Sequence, residues 1–213
     1  SYSLVTVKQQ KLIEKILTDF PDTAESFEYQ DYIKEKTVGS ASEFISRAIE
    51  DNSYEIAGRK SYAKYIATRP RAERFGQHGL FTDEGVEVKL TKVQEELDNH
   101  KGNIWTAVIS LRREDAERLG YNNGARWRDM LRTQTDALSD YMHIPRNNLK
   151  WYAAFHNESH HPHVHLIAYS TIPTEGYLSE NSVEKLRSAF ATEIFAQDLV
   201  STYDKQTESR DKL

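Results

Sequence analysis

Five of the eight histidines in this chain lie between His156 and His165. The surrounding stretch, Lys150–Ser170, reads KWYAAFHNESHHPHVHLIAYS, with a short apolar run on each side of a polar centre. Two short apolar runs joined by a polar loop are typical of an antiparallel β-hairpin. Whatever fold the chain adopts must therefore accommodate a hairpin that carries a dense group of imidazole side chains.

The spacing of three of these histidines predicts a metal site. Side chains at positions i and i+2 of a strand leave the same face, so His163 and His165 point the same way. His156 ends the first strand, roughly across from His163. Three neutral imidazoles with open positions beside them suit a divalent metal that does chemistry, because a closed structural site would normally show a fourth ligand.

The other polar residues of the hairpin have more than one interpretation. Glu158, two residues after His156, is predicted to accept a hydrogen bond from the ring N–H of a metal-binding histidine. His160 and His161 are interpreted as polar loop residues. His161 also extends an alternating pattern, HPHVH, that resembles the motif of nucleotidyl hydrolases which attack through a histidine without metal.

Composition narrows the class of protein. The chain has 213 residues, of which 38% are hydrophobic, enough for one domain with a sizeable core. Cysteine is absent, which excludes disulfides and thiolate chemistry. No apolar run approaches the ~20 residues of a membrane span, and no signal peptide is visible at the start. These features are typical of a soluble cytoplasmic protein.

The formal net charge of −5 argues against nucleic acid as a partner. A local basic segment argues in the opposite direction. Between Arg59 and Arg74 the only acid is Glu73, and the segment is a candidate phosphate-contacting patch or a solvated helix face. Tyr62 and Tyr65 lie within it. A nearby cation favours phenolate, so either could serve as a nucleophile, or simply pack in the core. The basic residues are Arg59, Lys60, Lys64, Arg69, Arg71 and Arg74.

Apolar periodicity predicts an α+β fold. An antiparallel sheet would contain the histidine hairpin and a strand at 104–111, whose continuous apolar character indicates a central position covered on both faces. Helices cover this sheet. Residues 1–55 are predicted to form a helical N-terminal region and 56–213 the core, although a single compact domain is also compatible. Helices are predicted at 6–20, within 22–36, after a Gly39-Ser40 break with Ser40 or Ser42 as cap, and at 86–100, 114–119, 125–142 and 182–203.

The chain resembles the MobP/MobL-type conjugative relaxases of the HUH endonuclease superfamily, in which two histidines flank a hydrophobic residue. Here that signature is His163-Val164-His165, and His156-Asn157-Glu158 fits the upstream part of the family pattern H-x-[DE]-x4-H-x-H. The resemblance covers nearly the whole chain. The segments that carry it are FPDTAESFEYQDYI, YIATRPRAERFGQHGLFTDEG, WTAVISLRREDAERLGY, WYAAFHNESHHPHVHL and EKLRSAFATEIFAQDL.

The resemblance implies an enzyme that cuts one strand of DNA at a transfer origin, in a bacterial cytoplasm, to mobilise a plasmid or integrative element. A tyrosine attacks the scissile phosphate and stays covalently joined to the 5′ end. A divalent metal, Mg²⁺ or Mn²⁺, is expected at the three histidines, where Zn²⁺ or Ni²⁺ would also bind. Tyr65, in a Tyr-Ile-x-x-Arg-like context, is the first candidate nucleophile and Tyr62 the second. The predicted DNA-contacting residues are Lys64, Arg69, Arg71 and Arg74.

The resemblance also leaves points open. Family members carry a further N-terminal strand and a tyrosine-bearing segment ahead of the position at which this chain begins. If the nucleophile lies there, the chain is a metal-dependent DNA-binding module that does not cleave. No recognisable motif encodes the origin sequence, the native metal, the oligomeric state, the host or any accessory relaxosome proteins.

Overall fold

The computed structural model describes residues 3–198. Two 3₁₀ helices lie at Pro21–Glu25 and Arg146–Asn148. No helix in this part of the chain combines the length and the apolar composition needed to cross a bilayer. The α-helices are α1 (Val7–Asp19), α2 (Phe27–Lys34), α3 (Val38–Asp51), α4 (Ser53–Ala57), α5 (Arg59–Thr68), α6 (Leu90–Asn99), α7 (Arg113–Leu119), α8 (Gly124–Thr133), α9 (Thr135–Met142) and α10 (Glu180–Ile194).

One antiparallel sheet of four strands lies at the centre, in the order β1-β3-β4-β2. β3 and β4 form the predicted hairpin, and His156 pairs directly with His163. With the helices packed on both faces of the sheet, the α+β class is confirmed. The strands are β1 (Leu80–Phe81), β2 (Ile104–Ser110), β3 (Leu149–His156) and β4 (His163–Ser170).

The central position predicted for the strand at 104–111 is wrong. Among the described residues β2 pairs with β4 alone, so it is an edge strand, and all seven of its residues are only half-buried. Trp105 and Ile109 pack against the core on one face. A run of β-branched and aromatic residues fits a half-buried edge as well as a central strand, so composition did not fix the position of the strand in the sheet.

Alternation along the strands separates two cores on opposite faces of the sheet. Val164, Leu166 and Ala168 of β4 contribute to the core beneath α8, α9 and α10, which includes Trp127 and Leu131. The intervening residues of β4 face α5 and α6 instead, because successive side chains of a strand leave opposite faces. The histidines of the hairpin belong to this second face.

A third cluster of buried residues, including Ile13, Tyr32 and Phe44, lies among α1, α2 and α3. This agrees with a helical N-terminal region. The proposed boundary after residue 55 falls inside α4, and the division into 1–55 and 56–213 stays a prediction.

Several predicted helix boundaries differ from the structure, among them the start of α6, which lies at Leu90 and not at residue 86. α3 is capped by Thr37 and not by Ser40 or Ser42, so Gly39 lies inside the first turn and is no break. The single helix predicted over 125–142 is two helices that meet at Gln134. The last helix, predicted over 182–203, begins at Glu180 and ends at Ile194, and residues 199–203 of the predicted range lie outside the described part.

We expect Leu166→Ala to lower the free energy of unfolding by about 2–5 kcal/mol, because Leu166 is fully buried and its removal leaves a cavity. The same substitution at Leu4, which is 83% exposed, should change it by less than about 0.5 kcal/mol. Urea denaturation of both variants measures the difference. Equal losses would contradict the placement of β4 at the centre of the core.

Candidate metal centre

Four buried side chains converge at one end of the sheet. Glu50, His156, His163 and His165 each offer one ligand atom, and these atoms lie within 4.8 Å of one another. His156 ends β3, the other two histidines begin β4, and Glu50 comes from the last turn of α3. The structure thus brings the three predicted histidines together, while metal binding by them stays a prediction.

Two of the three rings are oriented by backbone carbonyls. His156 Nε2 lies 2.8 Å from the carbonyl oxygen of Ile66, and His163 Nδ1 lies 3.0 Å from that of His161. A carbonyl only accepts hydrogen bonds, so each of these nitrogens carries the proton. The carbonyl of Ile66 is free because Pro70, four residues later, has no N–H to bond it at the end of α5.

The remaining ring nitrogens face the carboxylate of Glu50. His156 Nδ1 lies 3.2 Å from Oε1, and His163 Nε2 lies 3.0 Å from Oε2. His165 Nε2 lies 3.6 Å from Oε2 and has no hydrogen-bond partner although it is buried. Its other nitrogen, Nδ1, is 3.1 Å from the hydroxyl of Tyr62.

The donor set fits a divalent cation. Burial lowers the pKa of His163 well below its ordinary value and also lowers the pKa of His165, so both rings are neutral near pH 7. A neutral ring that is protonated on its outer nitrogen presents a lone pair inward, toward the lone pairs of the Glu50 carboxylate. A cation placed among these atoms replaces that repulsion with coordination, and imidazole and carboxylate ligands suit Mn²⁺, Zn²⁺ or Ni²⁺.

Glu50 is the member of the cluster that the sequence did not reveal. It is separated from His156 by 106 positions and is one of 33 acidic residues, with no motif around it. Sequence analysis assigned no chemistry to the N-terminal region from which it comes. Only the packing of α3 against the sheet brings this carboxylate to the histidines.

A buried arginine fixes that packing. Arg47 Nη1 donates to Glu28 Oε1 at 2.8 Å and Nε donates to Asp51 Oδ1 at 2.8 Å. Its Nη2 donates to Ser110 Oγ at 2.6 Å. Ser110 pairs with His163 in the sheet, so this single guanidinium joins α2, α3 and β2 beside the cluster. It therefore holds the helix of Glu50 in register with the hairpin.

Glu158 and the two loop histidines lie outside the cluster. Glu158 is half-buried and lines a neighbouring cavity. Backbone carbonyls accept from the ring N–H groups of His156 and His163. The predicted hydrogen bond from a histidine ring to Glu158 stays a prediction. His160 is exposed, as expected. His161 is buried rather than solvated, with Nε2 2.7 Å from Asp31 Oδ2. His161 thus pairs with Asp31 and is not a member of the four-residue cluster, and the alternative of a metal-free hydrolase stays a prediction.

The cavity beside the cluster has a volume of about 240 Å³. Glu50, His163 and Arg69 line it, as do Glu28 and His161. Tyr62 and Tyr65, both within the described part of the chain, are not among the lining residues. The cavity is therefore a polar space that touches the candidate metal ligands directly.

The two candidate tyrosines have different environments. Tyr62 is fully buried, and burial raises its pKa. Tyr65 is half-buried with the Arg69 guanidinium 4.6 Å from its ring centre, and Arg69 Nε also lies 3.3 Å from Glu50 Oε1. Burial raises the pKa of Tyr65 by more than Arg69 lowers it. Nearby arginines thus act in the expected direction on both tyrosines, but burial outweighs them, and the net shift of each pKa is upward.

The predicted DNA-contacting residues lie near the cluster to different degrees. The segment after α5 runs beside the end of β3, where Ala72 bridges to His156 and the carbonyl of Arg71 accepts from the N–H of Asn157. Arg69 is half-exposed at the cavity. The DNA contacts predicted for Arg69 and for the other three basic residues stay predictions. Lys64, Arg71 and Arg74 are exposed.

Comparison with known proteins identifies the family of the chain. A family model described as MobL relaxases matches residues 4–213. The chain belongs to the MobL relaxase family. Neither the curated proteins nor the solved structures gave a match. The family places the chain in the relaxase class of enzymes, which nick DNA and bind single-stranded DNA during conjugation or mobilisation. The resemblance inferred from the sequence is confirmed.

We expect Mn²⁺ to raise the melting temperature of the wild-type chain. At a concentration of one hundred times its dissociation constant, the ion should stabilise the folded state by about 2.7 kcal/mol. His163→Ala should abolish this rise because it removes a central ligand. His160→Ala, in the adjacent exposed loop, is the matched control and should keep it. A scan with and without Mn²⁺ measures the shift, and an unchanged rise in His163→Ala would exclude this cluster as the metal site.

We expect the metal-free chain to lose stability as the pH falls from 7 toward 5. The folded pKa values of His163 and His165 lie below the unfolded value, so the unfolded state binds more protons below about pH 6.5. Each histidine adds a slope approaching about 1.4 kcal/mol per pH unit. Urea midpoints measured with a chelator at several pH values test this. His143→Asn, at an exposed histidine, should leave the slope unchanged, and a flat wild-type profile would contradict the burial of neutral rings.

Proposed function

We propose that this chain nicks and rejoins single-stranded DNA at a transfer origin by metal-dependent transesterification. The observation that supports this most directly is the buried cluster of three histidines and Glu50 beside a polar cavity, in a chain of the MobL relaxase family. The reaction serves the mobilisation of a plasmid or an integrative element.

The cluster residues would hold the metal, which we propose to be Mg²⁺ or Mn²⁺. His156, His163 and His165 offer neutral nitrogens, and Glu50 offers a negative oxygen that no predicted ligand set contained. When bound, the ion would polarise the scissile phosphate and balance the charge that develops on it. The carbonyls of Ile66 and His161 keep two of the rings in the tautomer that leaves the inward nitrogen unprotonated.

Tyr65 is the proposed nucleophile. Its hydroxyl oxygen bonds to the scissile phosphorus while the bond from phosphorus to the 3′-oxygen breaks. The tyrosine gives up one proton and the departing 3′-oxygen gains one, so the phosphodiester energy is kept and resealing needs no nucleotide. Tyr65 is preferred to Tyr62 because it is only half-buried, and because Arg69 connects its ring to Glu50. The Tyr62 hydroxyl is engaged with His165.

The basic side chains around this site are proposed to hold DNA phosphates. Arg69, at the cavity, would contact a phosphate next to the scissile position. Such contacts are independent of base sequence and make affinity fall steeply with salt. The exposed residues Lys64, Arg71 and Arg74 would bind phosphates further along the strand.

A second function has one observation in its favour. Neither Tyr62 nor Tyr65 lines the cavity beside the cluster, as far as the structure describes the chain. A chain that binds metal and single-stranded DNA but obtains its nucleophile elsewhere would show this arrangement. The two functions differ in whether a covalent protein–DNA adduct forms.

We expect wild-type protein with Mn²⁺ to form a covalent adduct with a 3′-end-labelled single strand that carries its transfer origin, seen on a denaturing gel. Tyr65→Phe should abolish the adduct because it removes the attacking oxygen. Tyr177→Phe, at a 68% exposed tyrosine, is the matched control and should keep it. An adduct that survives Tyr65→Phe would transfer the role to Tyr62 or another residue, and binding without any adduct would favour the second function.

A further inference from the structure

One helix, α5, contacts two of the three histidines of the cluster. The carbonyl oxygen of Ile66 lies 2.8 Å from His156 Nε2, and the hydroxyl oxygen of Tyr62 lies 3.1 Å from His165 Nδ1. Tyr62 and Ile66 are four residues apart, so they lie one turn apart on the same side of the helix. In both rings, the nitrogen that α5 contacts is the one that points away from Glu50.

The surroundings of Tyr62 hold its hydroxyl in one place. The side chain is fully buried in the core beneath α5 and α6, and its ring lies edge-on to the ring of Tyr54, with the ring centres 5.8 Å apart. In the described part of the chain, its hydroxyl bonds to His165 Nδ1 alone. The same burial keeps this hydroxyl away from the polar cavity, whose lining residues do not include Tyr62. The hydroxyl is therefore placed to orient a ring and not to meet a phosphate.

The opposite nitrogen of the His165 ring points into the cluster. His165 Nε2 lies 3.6 Å from Glu50 Oε2 and is buried without a hydrogen-bond partner. An N–H at this position would be a buried donor with no acceptor at hydrogen-bond distance, whereas a lone pair there can bind a cation. A ring proton on Nδ1 suits both ends of the ring, because the hydroxyl oxygen of Tyr62 can accept it. A hydroxyl can also donate, so the position of this proton is the point to test.

We propose that Tyr62 is a positioning residue of the metal centre, whose hydroxyl accepts from His165 Nδ1–H and so presents Nε2 to the ion. The inference rests on the proposed function in one respect, that a divalent ion binds at the cluster. With the carbonyls of Ile66 and His161, the hydroxyl gives each of the three rings one fixed acceptor. Such partners keep a ligand ring in one tautomer and orientation. Tyr62 then acts through His165 and is not the attacking oxygen.

Tyr62→Phe removes the hydroxyl and keeps the ring in the core. We expect this variant to bind Mn²⁺ about tenfold to a hundredfold more weakly than the wild type, measured from the electron paramagnetic resonance signal of the free ion. Tyr54→Phe is the matched control, because the Tyr54 hydroxyl accepts from Arg59 Nε at 2.8 Å and its loss also removes one hydrogen bond beside α5. The control should keep the wild-type affinity. Unchanged affinity in Tyr62→Phe, or an equal loss in Tyr54→Phe, would overturn the inference.

The metal dependence of adduct formation separates positioning from attack. If Tyr62 acts through His165, Tyr62→Phe should need more Mn²⁺ for half of its maximal adduct rate and should reach the wild-type rate at saturating Mn²⁺. A variant that binds Mn²⁺ but forms no adduct at any concentration would assign the attacking oxygen to Tyr62 and overturn the inference. If the wild type forms no adduct, the proposed transesterification fails, and the Mn²⁺ affinities of the two variants still decide the role of Tyr62.

The ring protons of the wild type give a test that remains if Tyr62→Phe does not fold. In a long-range ¹H–¹⁵N NMR spectrum of the Zn²⁺-loaded wild-type chain, His165 should carry its proton on Nδ1 and coordinate through Nε2. His163 should show the same pattern, whereas His156 should carry its proton on Nε2, as the carbonyl partners of these two rings require. A His165 ring protonated on Nε2 would mean that the Tyr62 hydroxyl donates to it, and the inference would be overturned.

Discussion

The arrangement of this end of the sheet depends on three imidazoles and one carboxylate that face each other while almost fully buried. Lone pairs on neutral rings and on Glu50 repel each other unless a cation or a proton lies between them, and burial makes protonated rings costly. The protein nevertheless holds these groups within 4.8 Å. Such a cluster is stable in a folded chain when the surroundings fix each ring and when the charge can be compensated by a bound divalent ion.

Several unrelated parts of the chain supply that fixation. The missing N–H of Pro70 leaves a helical carbonyl for His156, and the carbonyl of His161 holds the ring of His163. Arg47 anchors the helix of Glu50 through Glu28, Asp51 and Ser110. The N-terminal helices are therefore more than a flanking layer, because they supply the carboxylate of Glu50 and the buried guanidinium of Arg47 that positions it.

The residues that could be predicted from the sequence are those whose geometry is local. The alternation of side chains in a hairpin is enough to place His156, His163 and His165 on one face, and apolar periodicity is enough for the α+β class. Glu50 could not be found, since its position depends on how α3 packs against a hairpin whose His156 is 106 residues away in the sequence. The edge position of β2 and the break at Gln134 were not predicted for the same reason. Long-range packing decided between local patterns that were equally compatible with the sequence.

The pKa values of the tyrosines show how long-range packing also changes chemistry. In the sequence, Tyr65 and its basic neighbours favour a phenolate, yet in the folded chain burial outweighs the cation. Arg69 is shared between the ring of Tyr65 and Glu50, and its guanidinium lies against the carboxylate. A divalent ion that takes over the charge of Glu50 would leave the guanidinium available for a phosphate oxygen next to Tyr65. On the proposed function, metal binding and DNA binding are then coupled through one side chain, and the activation of Tyr65 belongs to the assembled complex rather than to the chain alone.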